Sequence, residues 1–456
     1  MMSSVGWLAS AAEVDITPPV GVRLEGYDER VAPSTHILDP LRAGCLVLQA
    51  GEERCALVTV DLIGIPADVV AECRRMASEV TGIAPASILV AASHTHGAPG
   101  RRLGNVHMEA YLASLPHTLA GLIVAASQEP RPARLAVGRG SCDTVQLNRR
   151  NSDGPIDPDV RVLRVEDQAT GALLAALVNV VCHPTILSPS QLGISADYFG
   201  AVRRTVRRIE GAHAVVLVTN GACGDINPTK WRENRTEVDR VGAIFGLEAA
   251  RVLEELRTSH DALLVSTPEG ATVESPDGWG VVTKLPPADA APLDVASIRT
   301  RCRMVTLPTR AIEPPERLRA QRAEVGAALA AMSPGTPTWH RQKFLLMRLG
   351  HEIDRGETPA GEKTVEIQAL RLGGRFVLAT IPGELFVEIG ERIKARIAAA
   401  GDWPMVVGYA NDYVGYIPTD AAFDWHGYEV GISLFDRGTE ARLLAAVDES
   451  VEATRG

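Results

Sequence analysis

Short apolar runs rich in Val, Ile and Ala alternate along this chain with longer segments of helical period, and that alternation restricts it to the α/β class. The runs predict strands over Cys45–Gln49, Cys55–Leu62, Ser87–Ala92, Arg134–Arg139, Val160–Val165, Leu173–Cys182, Ala214–Thr219, Cys302–Leu307, Thr364–Leu372, Phe376–Ile381 and Met405–Tyr409. More than one sheet, or one very large one, is needed to hold them. Helices are expected over Pro66–Val80, Met108–Ser127, Ala196–Ile209, Val238–Leu256, Pro315–Met332, Trp339–Arg355, Phe386–Ala399 and Thr439–Val451. Several open with proline or an acidic residue, as helix starts favour. The proline-punctuated stretch Ser266–Pro315 reads as long loop. Residues 1–456 are thus expected to form one large domain, with a loop-plus-helical excursion at about 266–360.

With 46% hydrophobic and 22% charged residues, the chain can bury a core and is neither disordered nor a coiled coil. A formal charge of −10 with scattered Lys and Arg lacks the basic footprint of a nucleic-acid binder. No apolar run approaches the roughly 20 residues of a membrane-spanning helix. Met1–Ser10 lacks the basic start and apolar stretch of a secretory signal. A cytoplasmic protein without membrane insertion is expected. The seven cysteines never form a CxxC pair, which argues against disulfides or a thiolate zinc site. They read as small core residues.

Chemistry concentrates at strand ends. Ser87–Ala92 runs into Ser93-His94-Thr95-His96-Gly97, and two histidines where a strand gives way to a Gly/Pro loop can bind metal or move protons. They can equally serve as loop residues bonded to backbone. Leu173–Cys182 ends in His183-Pro184, the same topological place, although His183 alone could be a satisfied core histidine. Thr219 to Pro228 is a polar turn carrying Asp225 and Asn227, an active-site floor or a turn capping its own backbone. Phe376–Ile381 ends in Pro382-Gly383-Glu384, and Glu384 by itself would be a helix-dipole partner. Tyr413, Tyr416 and Tyr428 cluster in a chain with only seven tyrosines, as a binding surface or as packing. His213 and His351 read as surface or capping residues without partners. His36 and His426 are weaker candidates for a cleft rim.

Taken in order, Asp15-Ile16-Thr17-Pro18, Leu24-Glu25-Gly26-Tyr27, Val60-Asp61, the His-Thr-His segment, Cys182-His183-Pro184-Thr185, Asn220 to Pro228, Pro382-Gly383-Glu384 and the tyrosine tract resemble the catalytic domain of the neutral ceramidase family. The resemblance implies a large mixed-sheet α/β catalytic domain with flanking helices. It also implies a hydrolase that cleaves the amide of an N-acyl amine with one Zn2+ per chain. On that resemblance His94, His183, Glu384 and Tyr416 would hold the zinc, His96 would be the acid/base group, and Arg149 and Tyr428 would complete the catalytic set. Where the family has a functional serine, this chain has Asn227, which can orient water or stabilise an oxyanion but cannot act as a nucleophile. No immunoglobulin-like domain is expected after Tyr428. These departures point to a soluble small-molecule amide other than ceramide as substrate, and a homo-oligomer is the default expectation. Two rival readings are an amidohydrolase-type β/α barrel with one or two metals, and a metal-binding protein that has lost catalysis.

Overall fold

The computed structural model describes residues 6–100, 106–257, 264–267, 270–274, 281–284, 290–425 and 427–455. Its centre is two sheets packed face to face. The larger contains strands β1 (Trp7–Asp15), β2 (Arg42–Ala50), β3 (Glu53–Val60), β4 (Ile88–Ala92), β5 (Arg131–Ser141), β6 (Asp159–Asp167), β7 (Leu173–Val180) and β8 (Val215–Asn220), in the spatial order β8-β7-β6-β5-β1-β2-β3-β4, with β9 (Ala290–Pro292) beside β5. The end pairs β3/β4 and β7/β8 are parallel and the interior pairs antiparallel. The second sheet runs β10 (Ile298–Thr309), β11 (Gly361–Leu372), β12 (Phe376–Thr380) and β13 (Trp403–Val407), with only β12/β13 parallel. Both sheets are open, so the barrel reading does not describe this fold.

Period-two alternation places each strand's side chains in two cores. In β3, Cys55 and Leu57 join Leu370, Phe376 and Met405 between the sheets, whereas Ala56, Val58 and Val60 pack toward helices α1 (Ala67–Thr81) and α2 (Val106–Ala126). Burial on both faces explains the near-continuous apolar runs. Helices α3 (Tyr198–Glu210) and α4 (Arg235–Glu255) cover the β6–β8 end of the larger sheet. Helices α7 (Val387–Ala399) and α8 (Thr439–Glu452) cover the outer face of the second. The result is four layers, helix, sheet, sheet and helix. Six of the seven cysteines are buried and Cys302 is exposed.

Part of the stretch read as loop is strand. β10 pairs residue for residue with β11, and its exposed Arg299, Arg301, Arg303 and Met304 hide the apolar signal of an edge strand. The following hairpin, α5 (Pro315–Ala330) and α6 (Pro337–Arg355), has a small core of its own around Leu318, Val325 and Leu349.

One buried ion pair ties the helical layer to the larger sheet near its functional edge. Asp61, just after β3, accepts from both Arg203 Nη atoms, with Nη1 at 3.1 Å, and its Oδ2 also accepts from the Arg42 backbone N–H at 2.8 Å. Both side chains are almost fully buried. Arg203→Ala, which strands that carboxylate, is expected to lower the unfolding free energy by about 3–5 kcal/mol, measurable as a shifted urea midpoint.

Candidate functional site

The site lies where strands of both sheets end. His94 follows β4, His183 follows β7, and Glu384 follows β12. His94 adopts φ 66°, a left-handed conformation that costs a non-glycine residue roughly 1–3 kcal/mol. Its backbone N–H bonds Leu62 O at 2.9 Å and its ring stacks on Tyr409 at 4.2 Å. His183 donates its backbone N–H to Ile226 O at 3.0 Å.

The ring contacts decide the tautomers. His94 Nδ1 lies 2.6 Å from Ile63 O, and His183 Nδ1 lies 2.7 Å from Cys223 O. Only an N–H satisfies a carbonyl, so both rings carry a proton on Nδ1 and leave Nε2 as the nitrogen that faces inward. Both Nε2 atoms face one oxygen, Glu384 Oε2, at 3.3 and 3.1 Å. His183 Nε2 and Glu384 Oε2 are buried and have no hydrogen-bond partner. Burial pushes His183 down to about 4, so it is neutral near pH 7. Converging lone pairs of this kind are stable only around a shared cation or proton, and nitrogen with carboxylate oxygen is a donor set suited to a divalent metal.

His96 completes a cluster of three buried histidines that could hold a metal ion. Its Nε2 is 3.4 Å from His94 Nε2, and its buried Nδ1 has no partner. Burial, then repulsion from His94 and His183, holds His96 well below the usual imidazole range. Gly26 is required beside it: φ is +109°, and a Cβ there would sit 2.4 Å from His96 Cγ.

Glu384 begins a two-residue strand paired in parallel with Tyr416–Ile417. Tyr416 Oη accepts from Arg149 Nη2 at 3.0 Å. Arg149 also donates to Gly224 O at 2.6 Å, Asn227 Oδ1 at 3.1 Å and Glu429 Oε1 at 2.7 Å. The other Glu429 oxygen takes Arg150 Nη1 at 2.8 Å. Burial alone would raise the Glu429 carboxyl, but Arg149 and Arg150 hold it below the usual range. A carboxylate depressed in the fold contributes stability that is complete above the unfolded value near 4.5 and is lost as pH falls through the lower folded value. Wild type should therefore lose stability as pH falls below about 4.5, and Glu429→Gln should flatten part of that slope in urea midpoints measured against pH.

A cavity of about 490 Å3 opens onto the site. His94, His96, Glu384, Tyr416 and Tyr428 line it, while His183, Arg149 and Asn227 lie behind this wall. Sequence reasoning missed one of its members and left another, Tyr413, without a role. His351, read as partnerless, lines the cavity from the last turn of α6 with Nε2 2.9 Å from Asp28 Oδ2. Tyr413 donates its hydroxyl to Glu384 Oε1 at 2.6 Å. Neither bond spans residues close in sequence, so the tyrosine clustering flagged Tyr413 but not its partner, and nothing flagged His351. His36 is exposed and away from the cavity, and His426 lies outside the described residues.

A buried centre of imidazoles and one carboxylate lies at the strand ends of this two-sheet α/β fold, open to a cavity, and could hold a metal ion beside a small-molecule site. The homologues of the chain are neutral ceramidases. The chain is 24% identical to the neutral ceramidase of Mycobacterium tuberculosis over 497 residues, covering 94% of this chain and 74% of that protein. It is 25% identical to the neutral ceramidase of Pseudomonas aeruginosa over 480 residues, covering 94% and 69%. The crystal structure of the Pseudomonas aeruginosa enzyme superposes with a TM-score of 0.71 at 21% identity, over 99% of this chain and 75% of that one. A ceramidase complexed with C2 gives 0.70 at 19%, with the same coverage. No family model matches the chain. The expected mixed-sheet fold with flanking helices is thus the fold of these relatives. No helix among the described residues is long and apolar enough to cross a membrane.

Proposed function

We propose that the chain is a zinc-dependent hydrolase that cleaves the carboxamide of an N-acyl amine. The observation that carries this reading is the convergence of His94 Nε2, His183 Nε2 and Glu384 Oε2 at the wall of a cavity. Kinship with neutral ceramidases supports the bond type. His94, His183 and Glu384 are the protein's zinc ligands, with Tyr416 as the fourth. When bound, zinc supplies Lewis acidity, polarising a carbonyl oxygen and acidifying water. His96, neutral and facing the cavity, accepts the proton of the attacking water and delivers it to the departing amine nitrogen as the C–N bond breaks. Tyr428 lines the cavity where its hydroxyl can donate to the carbonyl oxygen.

Arg149 does not line the cavity. Four of its five N–H groups are taken up by Glu429, Asn227, Gly224 and Tyr416, so it acts as a positioning residue that holds Tyr416 and Asn227. With one bond from Arg149 fixing Oδ1, Asn227 has its amide N–H2 turned to other work. The substrate is a soluble amide in preference to ceramide. Asp28, His351, Asp354, Arg355 and Lys363 line the cavity, and two long alkyl chains would have to desolvate them.

The test is metal content by mass spectrometry on untagged protein, followed by a panel of short N-acyl amines with ceramide included. About one equivalent of zinc and turnover of short amides support the reading. Zinc without turnover of any amide would favour a binding protein, and a preference for ceramide would overturn the substrate assignment.

A further inference from the structure

We infer that Tyr413 is a positioning residue that sets how Glu384 presents itself to the metal, an inference that rests on the reading of this site as a metal centre. A glutamate can offer one oxygen, two, or neither. Here Oε1 accepts the Tyr413 hydroxyl at 2.6 Å, while Oε2 alone faces the Nε2 atoms of His94 and His183 at 3.3 and 3.1 Å. The tyrosine thereby occupies the oxygen that is not needed and leaves the other as a single-atom donor aimed at both imidazoles.

Three features hold Tyr413 in that pose. Its backbone N–H donates to Asp412 Oδ1 at 2.8 Å, and the same oxygen accepts from Ala67 N at 3.2 Å, which ties the segment to the start of α1. Gly64 leaves room for the ring, since a Cβ there would lie 2.5 Å from Tyr413 Cγ. Tyr409 stacks against it at 6.3 Å and 23°. Tyr409 serves as the internal control, because its own hydroxyl meets Cys223 Sγ at 3.0 Å and not the carboxylate.

The experiment measures the affinity of the full-length protein for Zn2+ and Co2+ in competition with a chromophoric chelator, with the Co2+ absorption spectrum as a second readout. Tyr413→Phe should weaken both metals about 10- to 100-fold, the usual cost of losing a hydrogen bond to a ligand, and should shift the Co2+ bands. Tyr409→Phe should change affinity less than threefold, on the order of the uncertainty of such contacts. Gly64→Ala, which crowds the Tyr413 ring with its hydroxyl intact, should move affinity in the same direction as Tyr413→Phe. Equal affinities and spectra for wild type and Tyr413→Phe overturn the inference while leaving the metal centre in place. Wild-type protein that takes up neither metal overturns the metal centre, and this inference with it.

Discussion

His94→Ala is expected to yield a folded protein that no longer retains zinc and has no amidase activity above background. His94 supplies one of three donors that meet at a single point, and its removal costs more than the roughly 10- to 100-fold loss typical of an outer partner. It also removes a ring stacked on Tyr409, and because alanine keeps a Cβ the left-handed backbone strain at this position remains. Metal content by mass spectrometry, with circular dichroism to establish folding, checks this. A variant that keeps a full equivalent of zinc would remove His94 from the ligand set.

The complementary result is expected for His96→Ala: zinc retained, turnover reduced about 10²- to 10⁴-fold. His96 differs from its neighbours in its hydrogen bonding. His94 and His183 each anchor Nδ1 on a backbone carbonyl, as metal-binding imidazoles do, whereas His96 Nδ1 has no partner. An unanchored imidazole on a cavity wall suits a group that must exchange protons. Its three-histidine cluster also permits a ligand role, and the variant separates the two. Equal loss of metal from His94→Ala and His96→Ala would make His96 a ligand and move the acid/base function elsewhere. A fall in kcat at unchanged metal content is the expected outcome.

The parts of this site that could be read in sequence are those that strand ends announce. An apolar run stopped by His-Thr-His, another stopped by His-Pro and a third by Pro-Gly-Glu each put a polar side chain at the edge of a sheet, and these edges meet in the structure. What escaped reading depends on contacts between distant segments. His351 became a cavity residue because α6 brings it to Asp28, and nothing in its helical neighbourhood announces that partner. The bonds of Arg149 to Glu429, Asn227, Gly224 and Tyr416 likewise join distant segments, and no local pattern announces them. The edge strand β10 was partly lost in a proline-rich tract because one row of its side chains is arginine facing water.

The placement of the donors on both sheets has a consequence for how the protein is made. His94 and His183 emerge during synthesis long before Glu384, which sits beyond β12 in the second sheet. Two imidazoles alone form a weak half-site, and closing the long loops that separate the three residues costs entropy before any donor set exists. The ion can be captured tightly only once the two sheets have docked. It would then act as a rivet across their seam, adding about 2.7 kcal/mol when free metal stands at a hundred times its dissociation constant. Metal uptake by a refolding chain thus reports the closing of that seam, a late event in maturation that a signal from either sheet alone would miss.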